Sequence, residues 1–520
     1  MAAPAPTVGP TRWERRRWLT FLIAFLAVLA PMSLWALASP IGSVPDEPSH
    51  AIRAAAVARG EFASIPWPEN PGLAEATVPE NIANAHALAC FAFKSETTTA
   101  DCQYPIRDRS EKLVTTGSSA GANSPLFYAI VGWPSLLVDG DAVFYAMRLA
   151  GAVVSALALA AMFMQLTLLP RWRWAVTGAV VGITPMVLYL GGSINPNGVE
   201  VAAAGGLFAT LVAMTRGTAR GRLLWEQAII ALVTAILLMS TRSISLLWVA
   251  IILGVAIFLG TRGRTFQLLR SPQGITLLIA TAAIGLATVA WYLNPPALEG
   301  EPASSVGLVS YAFAAGSILL RSFDWVLGMI GLFGWVDTPA PSATVFAWST
   351  ALVAMLGVSV VWGRRRTTMA SWALIVVCLL VPAAVTISVY AQYGYIWQGR
   401  YMLAMLICLL ICAGLALDDA SREADRLTTR LITGGFAALA IGHLFAFVFA
   451  MQRFAVGSAI DFGEFFFAPK WQPPLGWQTL AMLFALVLVV DVLLARRLFR
   501  AAPTAEPAAV LEDASTEAPA

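Results

Sequence analysis

Long apolar runs separated by short polar connections dominate the chain. They fall at roughly 18–38, 145–169, 174–191, 199–214, 225–240, 243–260, 274–293, 345–362, 370–389, 402–417, 431–450 and 476–495. A helix rises about 1.5 Å per residue, so runs of about 17 to 25 residues cross ~30 Å of hydrocarbon. The pattern predicts an all-α fold: a polytopic transmembrane helical bundle of about twelve spans, with its membrane domain at 18–495.

Composition agrees with the pattern. Of 520 residues 58% are hydrophobic and only 12% charged, against roughly 25% charged in soluble domains, which excludes a water-soluble fold. The formal charge of +3 is scattered between apolar runs rather than gathered on one surface, so no nucleic-acid partner is expected. The placement of arginine instead reports orientation. With Arg12, Arg15, Arg16 and Arg17 on the cytoplasmic side, alternate connections bring Arg171 and Arg173, Arg216 to Arg222, Arg262 to Arg270, Arg364 to Arg366, Arg422 to Arg430, and Arg496 to Arg500 to the same side. Enrichment of Arg at every second short loop is the positive-inside pattern of a plasma-membrane protein with both termini cytoplasmic. The first run has an Arg-rich front and ends in Ala36-Leu37-Ala38, like a secretory signal. It exceeds the usual ~7 to 15 residue signal core, which favours an uncleaved anchor. Tails 1–17 and 496–520 are expected in the cytoplasm and, where rich in Ala, Pro and Thr, disordered.

This orientation leaves two large external loops, 39–144 and 294–344. Cys90 and Cys102 lie in the first, where an oxidising compartment would allow them to pair. Cys378, Cys408 and Cys412 fall in apolar runs and read as packing residues.

The external side also collects the distinctive polar residues. Pro45-Asp46-Glu47-Pro48-Ser49-His50-Ala51-Ile52-Arg53 follows the first span. Pro48 suits the first turn of a helix, on which Asp46, His50 and Arg53 share a face. Adjacent carboxylates at the membrane surface suit proton abstraction or metal contact. Equally, Asp46 would cap the helix while Glu47 complements its dipole. Ser193-Ile194-Asn195-Pro196-Asn197-Gly198 is either an ordinary turn or part of a site, and Gly334-Trp335-Val336-Asp337 either an interfacial anchor or a site wall. Gln398-Gly399-Arg400-Tyr401 brings an Arg into a span from the outside, against the positive-inside bias. Its partner is a protein carboxylate or a phosphate, which the planar Arg fork suits. Arg242, between two closely spaced spans, poses the same question or simply snorkels. A divalent cation on Asp46, Glu47, His50 and His86 remains open, with no diagnostic ligand spacing.

The Pro45–His50, Gly334–Asp337 and Gln398–Tyr401 motifs resemble those of a bacterial polytopic membrane family known as domain of unknown function 2142, over about residues 20 to 450. That family is similar in layout to the GT-C glycosyltransferases, whose first span leads into an external loop with an acidic motif. Ser124-Pro125-Leu126-Phe127-Tyr128 resembles their Pro-Leu-x-Tyr juxtamembrane opening. Ser240-Thr241-Arg242-Ser243 stands where those enzymes often have Thr-Lys-Gly-Pro, and Asn197 where many have an acid. The resemblance implies sugar transfer from a polyprenyl-phosphate donor in the membrane lipid to a cell-envelope glycan or lipid acceptor. In it Asp46 or Glu47 would be the general base, with Arg400 on the leaving phosphate. His50 and Arg53 would orient the carboxylates or the phosphate, and Asn195, Asn197, Asp337, Gln398 and Tyr401 would line the substrate site. No Gly-rich phosphate loop or cytoplasmic nucleotide-sugar domain is seen, in keeping with a lipid-borne donor. The competing expectations are a transporter or flippase of lipid-linked glycans and a non-catalytic envelope assembly factor. Against transport stand the absence of a repeat between halves and spans nearly free of charge.

Overall fold

A computed structural model describes residues 12–106, 112–293, 307–420 and 426–501. Of the tails expected at 1–17 and 496–520, residues 1–11 and 502–520 lie outside the described residues, as do Arg422, the start of the second external loop and the side chains of Arg12, Arg15 and Arg426, while 12–17 and 496–501 are helical.

The chain is a polytopic helical membrane bundle. The long helix α1 (Arg12–Ala38) leads into the first loop, which holds α2 (Glu47–Ala58), α3 (Glu80–Ala83) and α4 (Pro125–Gly132). Then come α5 (Ala142–Leu166), α6 (Arg173–Gly182), α7 (Pro185–Gly191), α8 (Pro196–Arg216), α9 (Gly221–Met239), α10 (Ser245–Leu259), α11 (Arg262–Arg270) and α12 (Pro272–Leu293). The second half contains α13 (Leu308–Leu320), α14 (Ser322–Gly331), α15 (Ser342–Trp362), α16 (Arg365–Tyr393), α17 (Leu403–Ala420), α18 (Arg426–Val456), α19 (Phe462–Phe467) and α20 (Trp477–Ala501). Among the described residues ten helices are long and apolar enough to cross a membrane, and two bent pairs, α6–α7 and α13–α14, add up to two more spans.

Two details depart from the expected spans. Helix α10 has 15 residues, about 22 Å at 1.5 Å per residue, short of the ~30 Å core. The α13–α14 pair, expected as external loop, bends by 51° and is apolar enough to enter the bilayer. It is re-entrant, because both of its flanks lie at the same end of the bundle. Trp291, at the end of α12, donates to the Ala122 carbonyl of the first loop, and Asp337 after α14 meets Arg453 near the end of α18.

Helices α8 and α17 form the centre, with 100% and 94% of their apolar windows buried, whereas α12 and α20 stand mostly against lipid at 11% and 17%. Lipid tails are as apolar as leucine, so close backbone approach holds membrane helices together. A Cβ on Gly178 of α6 would lie 2.1 Å from the Leu410 carbonyl oxygen, and one on Gly414 of α17 would lie 2.2 Å from that of Trp174. Glycine is therefore what lets these two helices touch.

The first loop also carries a small antiparallel sheet, β1 (Pro66–Trp67), β2 (Asn70–Pro79) and β3 (Leu113–Ser118), with Ala74 opposite Ser118 and Pro79 opposite Leu113. Two-residue strands β4 (Leu332–Phe333) and β5 (Thr338–Pro339) make a hairpin after α14. Cys90 and Cys102 are disulfide-bonded, 6.2 Å apart at Cα, and Cys408 and Cys412 are buried in the bundle.

The Arg-rich connections gather at one end of the bundle. Arg17 pairs with Glu226 at 2.7 Å, Arg216 pairs with Asp419, and Arg264 donates to the Met214 carbonyl at 3.1 Å. Asp418 accepts from the Trp174 and Ala175 amides at 3.0 and 2.9 Å, capping α6 there. The acidic motif, the Asn-Pro-Asn turn, the Gly-Trp-Asp hairpin and the Gly-Arg-Tyr segment all lie at the opposite end.

Candidate functional site

The site is built where α1 hands over to α2. Arg148 of α5 is fully buried and uses all five guanidinium N–H groups: on the carbonyls of Ala36, Ser39 and Pro40 at 2.6–2.8 Å, and on both Glu47 oxygens at 2.7 Å. Glu47 accepts further from the backbone amides of Gly42 and Ile194, at 3.0 and 3.1 Å. Every acceptor direction of this carboxylate is filled, and the residue is 1% exposed. Of the two carboxylates expected as alternative general bases, Glu47 is set aside on this ground: it is the keystone of the loop and has no lone pair free for a substrate. Arg148 was not singled out from the sequence. The signal was present, since an Arg inside an apolar run, at the end away from the Arg-rich connections, opposes the same charge bias that marked Arg400.

With Glu47 held inward, its neighbour Asp46 takes the left-handed conformation, φ +64°, and its side chain makes no capping bond to α2. A non-glycine residue there is uncommon and is retained where the surroundings impose it. The Asp46 carboxylate is 52% exposed, and its Oδ2 accepts from Arg400 Nη2 at 3.1 Å. The two residues are 354 positions apart in the chain.

Arg400 is 3% exposed, and its Nε and Nη1 are buried without a hydrogen-bond partner. It lies in a 3₁₀ turn before α17, against α14. A Cβ on Gly399 would come within 2.3 Å of the Trp325 carbonyl oxygen and 2.9 Å of Gly328 Cα. This glycine therefore lets the re-entrant helix seat against the turn that carries the arginine. Between them is a recess of about 200 Å³ lined by Arg321, Asp324, Trp325, Tyr395, Gln398 and Arg400. The buried Oε1 of Gln398 has no partner.

Arg400 Nη2 also reaches the Tyr401 hydroxyl at 3.3 Å, and the guanidinium of Arg242 lies over the Tyr401 ring at 4.1 Å. Arg242 Nη1 donates to Asn197 Oδ1 at 2.9 Å. Two arginines thus bracket one tyrosine beside Asp46. One turn into α8 from Asn197, buried Glu200 accepts from the Ser245 hydroxyl at 2.6 Å, while its second oxygen has no partner. Neither Glu200 nor Ser245 was expected at the site. Asn195 spans two tasks: its Nδ2 donates to the Pro45 carbonyl at 3.1 Å and its Oδ1 caps α8 through the Asn197 amide at 3.0 Å.

On α2, His50 Nδ1 lies 2.9 Å from the Tyr128 hydroxyl, which also accepts from Asn123 Nδ2 at 2.9 Å. With Asn123 donating, the phenol proton points to His50 Nδ1, leaving the other ring nitrogen protonated. Burial pushes the His50 pKa down to about 4, with Asp46 opposing and Arg242 and Arg400 reinforcing the shift. The imidazole is therefore neutral at pH 7. Burial likewise raises the Tyr128 phenol.

Two expected substrate residues are occupied elsewhere. Arg53 donates to the carbonyls of Glu61, Phe62 and Ala63 at 2.7–3.3 Å, tying down the chain that leaves α2. Asp337 is paired with buried Arg453 at 3.3 Å and accepts from the Thr338 hydroxyl. Its hairpin braces the acidic loop from outside: Trp335 Nε1 donates to the Gly42 carbonyl at 3.0 Å, and Gly334 N donates to Tyr189, which donates to the Ser43 carbonyl. His86 Nε2 is 3.4 Å from the Ser49 hydroxyl, and burial lowers its pKa. Among the described residues no group of three or more His, Cys, Asp and Glu is placed to hold a metal ion.

The geometry offers an accessible carboxylate at Asp46 and another at Asp324 in the recess, a buried guanidinium with idle donors, a second guanidinium one ring away and a neutral histidine. It can take a proton and hold an anion within one small space. No curated protein and no solved structure matches the chain. A family model described as a predicted membrane protein, DUF2142, matches residues 29–409, a stretch that runs from within α1 to within α17 and contains the acidic loop and the Arg400 turn. The chain therefore belongs to the DUF2142 family of membrane proteins.

Proposed function

We propose that the protein is a membrane glycosyltransferase of the GT-C kind, moving a sugar from a polyprenyl-phosphate donor to a cell-envelope acceptor on the outer face of the bacterial plasma membrane. The Arg-rich end of the bundle is then cytoplasmic, with both termini. The observation that carries this reading is the pairing of half-exposed, left-handed Asp46 with buried Arg400, whose Nε and Nη1 have no protein partner. A buried guanidinium left partly unbonded is costly, and an anionic ligand removes the cost.

In the proposed reaction Asp46 takes the proton of an acceptor hydroxyl as that oxygen forms its bond to the anomeric carbon. The bond from that carbon to the phosphate oxygen breaks with inversion, and its electron pair leaves on the phosphate. Arg400 and Arg242 oppose the charge that grows there. Asn197 aims Arg242, and Tyr401 keeps the two guanidinium groups apart. Neutral His50 stays next to Asp46 without competing for its proton.

The test is transfer of radiolabelled sugar from a panel of polyprenyl-phosphate donors by the purified chain in lipid. Wild type should form product. Asp46→Asn should lose about 10² to 10⁴-fold, the usual contribution of a positioned base, and Arg400→Ala should lose product as well. Full transfer by Asp46→Asn removes the proposed base. No product with any donor, while the chain binds or moves lipid-linked sugar, replaces this reading with transport or assembly.

A further inference from the structure

From the Arg-rich end of the bundle inward, α1, α18 and α20 leave a groove of about 480 Å³. Its cause lies in the helices behind it. The α6–α7 span breaks by 67°, and Ile183 and Leu188 on either side of the break form part of the floor. Pro31 interrupts the hydrogen-bond ladder of α1 on one wall. The three outer helices cannot close over a kinked span, and a hollow remains.

The walls are apolar, with Leu19, Ile23 and Leu439 among them. Thr20 and Thr167 also line it, with their hydroxyls bonded to the carbonyls of Arg16 and Met164, and four further polar residues break that rule. Arg16 and Arg497, both exposed, stand at the Arg-rich end. Asp491 faces the groove from α20. His443 faces it from α18, 9% exposed, hydrogen-bonded to the Ile183 backbone and with its Nδ1 lacking a partner. Phe436 meets Phe499 and Phe447 stacks on Phe484, which places His443 and Asp491 at the same height. That height is six residues, about 9 Å, deeper than Arg497.

We propose that this groove is a binding site for one anionic phospholipid of the Arg-rich leaflet. Its phosphate meets Arg16 and Arg497, its glycerol region meets His443 and Asp491, and one acyl chain lies along α1 toward Pro31. An apolar hollow open to a bilayer fills with hydrocarbon, because a void forfeits the contacts of its lining. The two arginines select the headgroup charge, and the polar pair lies about where a glycerol backbone follows its phosphate. The inference is independent of sugar transfer, since the polar residues it uses, Arg16, Arg497, His443 and Asp491, are none of those at the Asp46 site.

The test uses the full chain in nanodiscs of phosphatidylglycerol mixed with phosphatidylcholine, then gentle detergent extraction and native mass spectrometry. One retained phosphatidylglycerol per chain is expected. Ala27→Phe, which fills the groove, should abolish retention, and Arg16→Gln with Arg497→Gln should erase the preference over phosphatidylcholine by about tenfold or more. Leu286→Phe, on the lipid-exposed face of α12, controls for bulk alone and should retain the lipid. Thermal unfolding of each variant in the same nanodiscs separates lost binding from lost folding. Retention unchanged by Ala27→Phe, or equal retention of both lipids by wild type, overturns the proposal.

Discussion

Asp46 and Glu47 are neighbours in sequence with opposite environments, and substitution should separate them. Glu47→Gln or Arg148→Ala breaks a pair that is 1% and 0% exposed and leaves a charge buried alone. A loss of about 3 to 5 kcal/mol of stability is expected, read as a large drop in thermal midpoint. Asp46→Asn keeps a residue type that tolerates φ +64°, so its midpoint should stay close to wild type while transfer falls. A stable Glu47→Gln variant would remove the keystone role. His50 gives a pH signature. Its pKa is 6.5 unfolded and about 4 folded, so as pH falls the unfolded chain takes up the proton first. The contribution is complete above about pH 6.5 and is lost between there and about pH 4, by roughly 3 kcal/mol. His50→Gln should flatten this part of the stability profile; an unchanged slope would assign it to another group.

At the scale of elements, the re-entrant α13–α14 pair decides where Arg400 points. Gly399→Ala introduces a Cβ 2.3 Å from the Trp325 carbonyl oxygen, a backbone atom of α14 that cannot swing aside. The helix or the turn must shift, and transfer should fall by about 10²-fold with far less loss of stability than Arg148→Ala. Gly357→Ala, with nothing within 4 Å of the added carbon, should be neutral. Equal activity of the two variants would show that the close approach does not position the arginine. The pair was read from sequence as loop because Arg321 and Asp324 sit at its bend, dividing an apolar stretch into pieces each too short to span. The small sheet of the first loop was equally hidden. Strand β2 contains Gly72, Glu75 and two prolines, and its partner β3 begins 34 residues after β2 ends, a pairing no local periodicity reveals.

For the whole molecule the testable property is sidedness. A single cysteine placed at Phe62, exposed at the site end, should react with a membrane-impermeant maleimide on intact cells. One at Arg365, the first residue of α16 at the Arg-rich end, should react only after permeabilisation. Labelling of both from the same side would break the inferred topology. Apart from the re-entrant pair and the short α10, the chain by itself determined the spans, their order and the two-ended distribution of charge, because the cost of burying polar groups in hydrocarbon is local and is written into each run of residues. It also marked Asp46 and Arg400 as exceptional, through adjacent acids at a span end and an arginine on the wrong side. Which exceptional residue does what was decided only in three dimensions. Glu47 and Arg148 are 101 residues apart, Asp337 and Arg453 116 apart, and Asp46 and Arg400 354 apart. Whether a carboxylate is saturated or open depends on donors brought from distant helices, and no spacing along the sequence records which donors arrive.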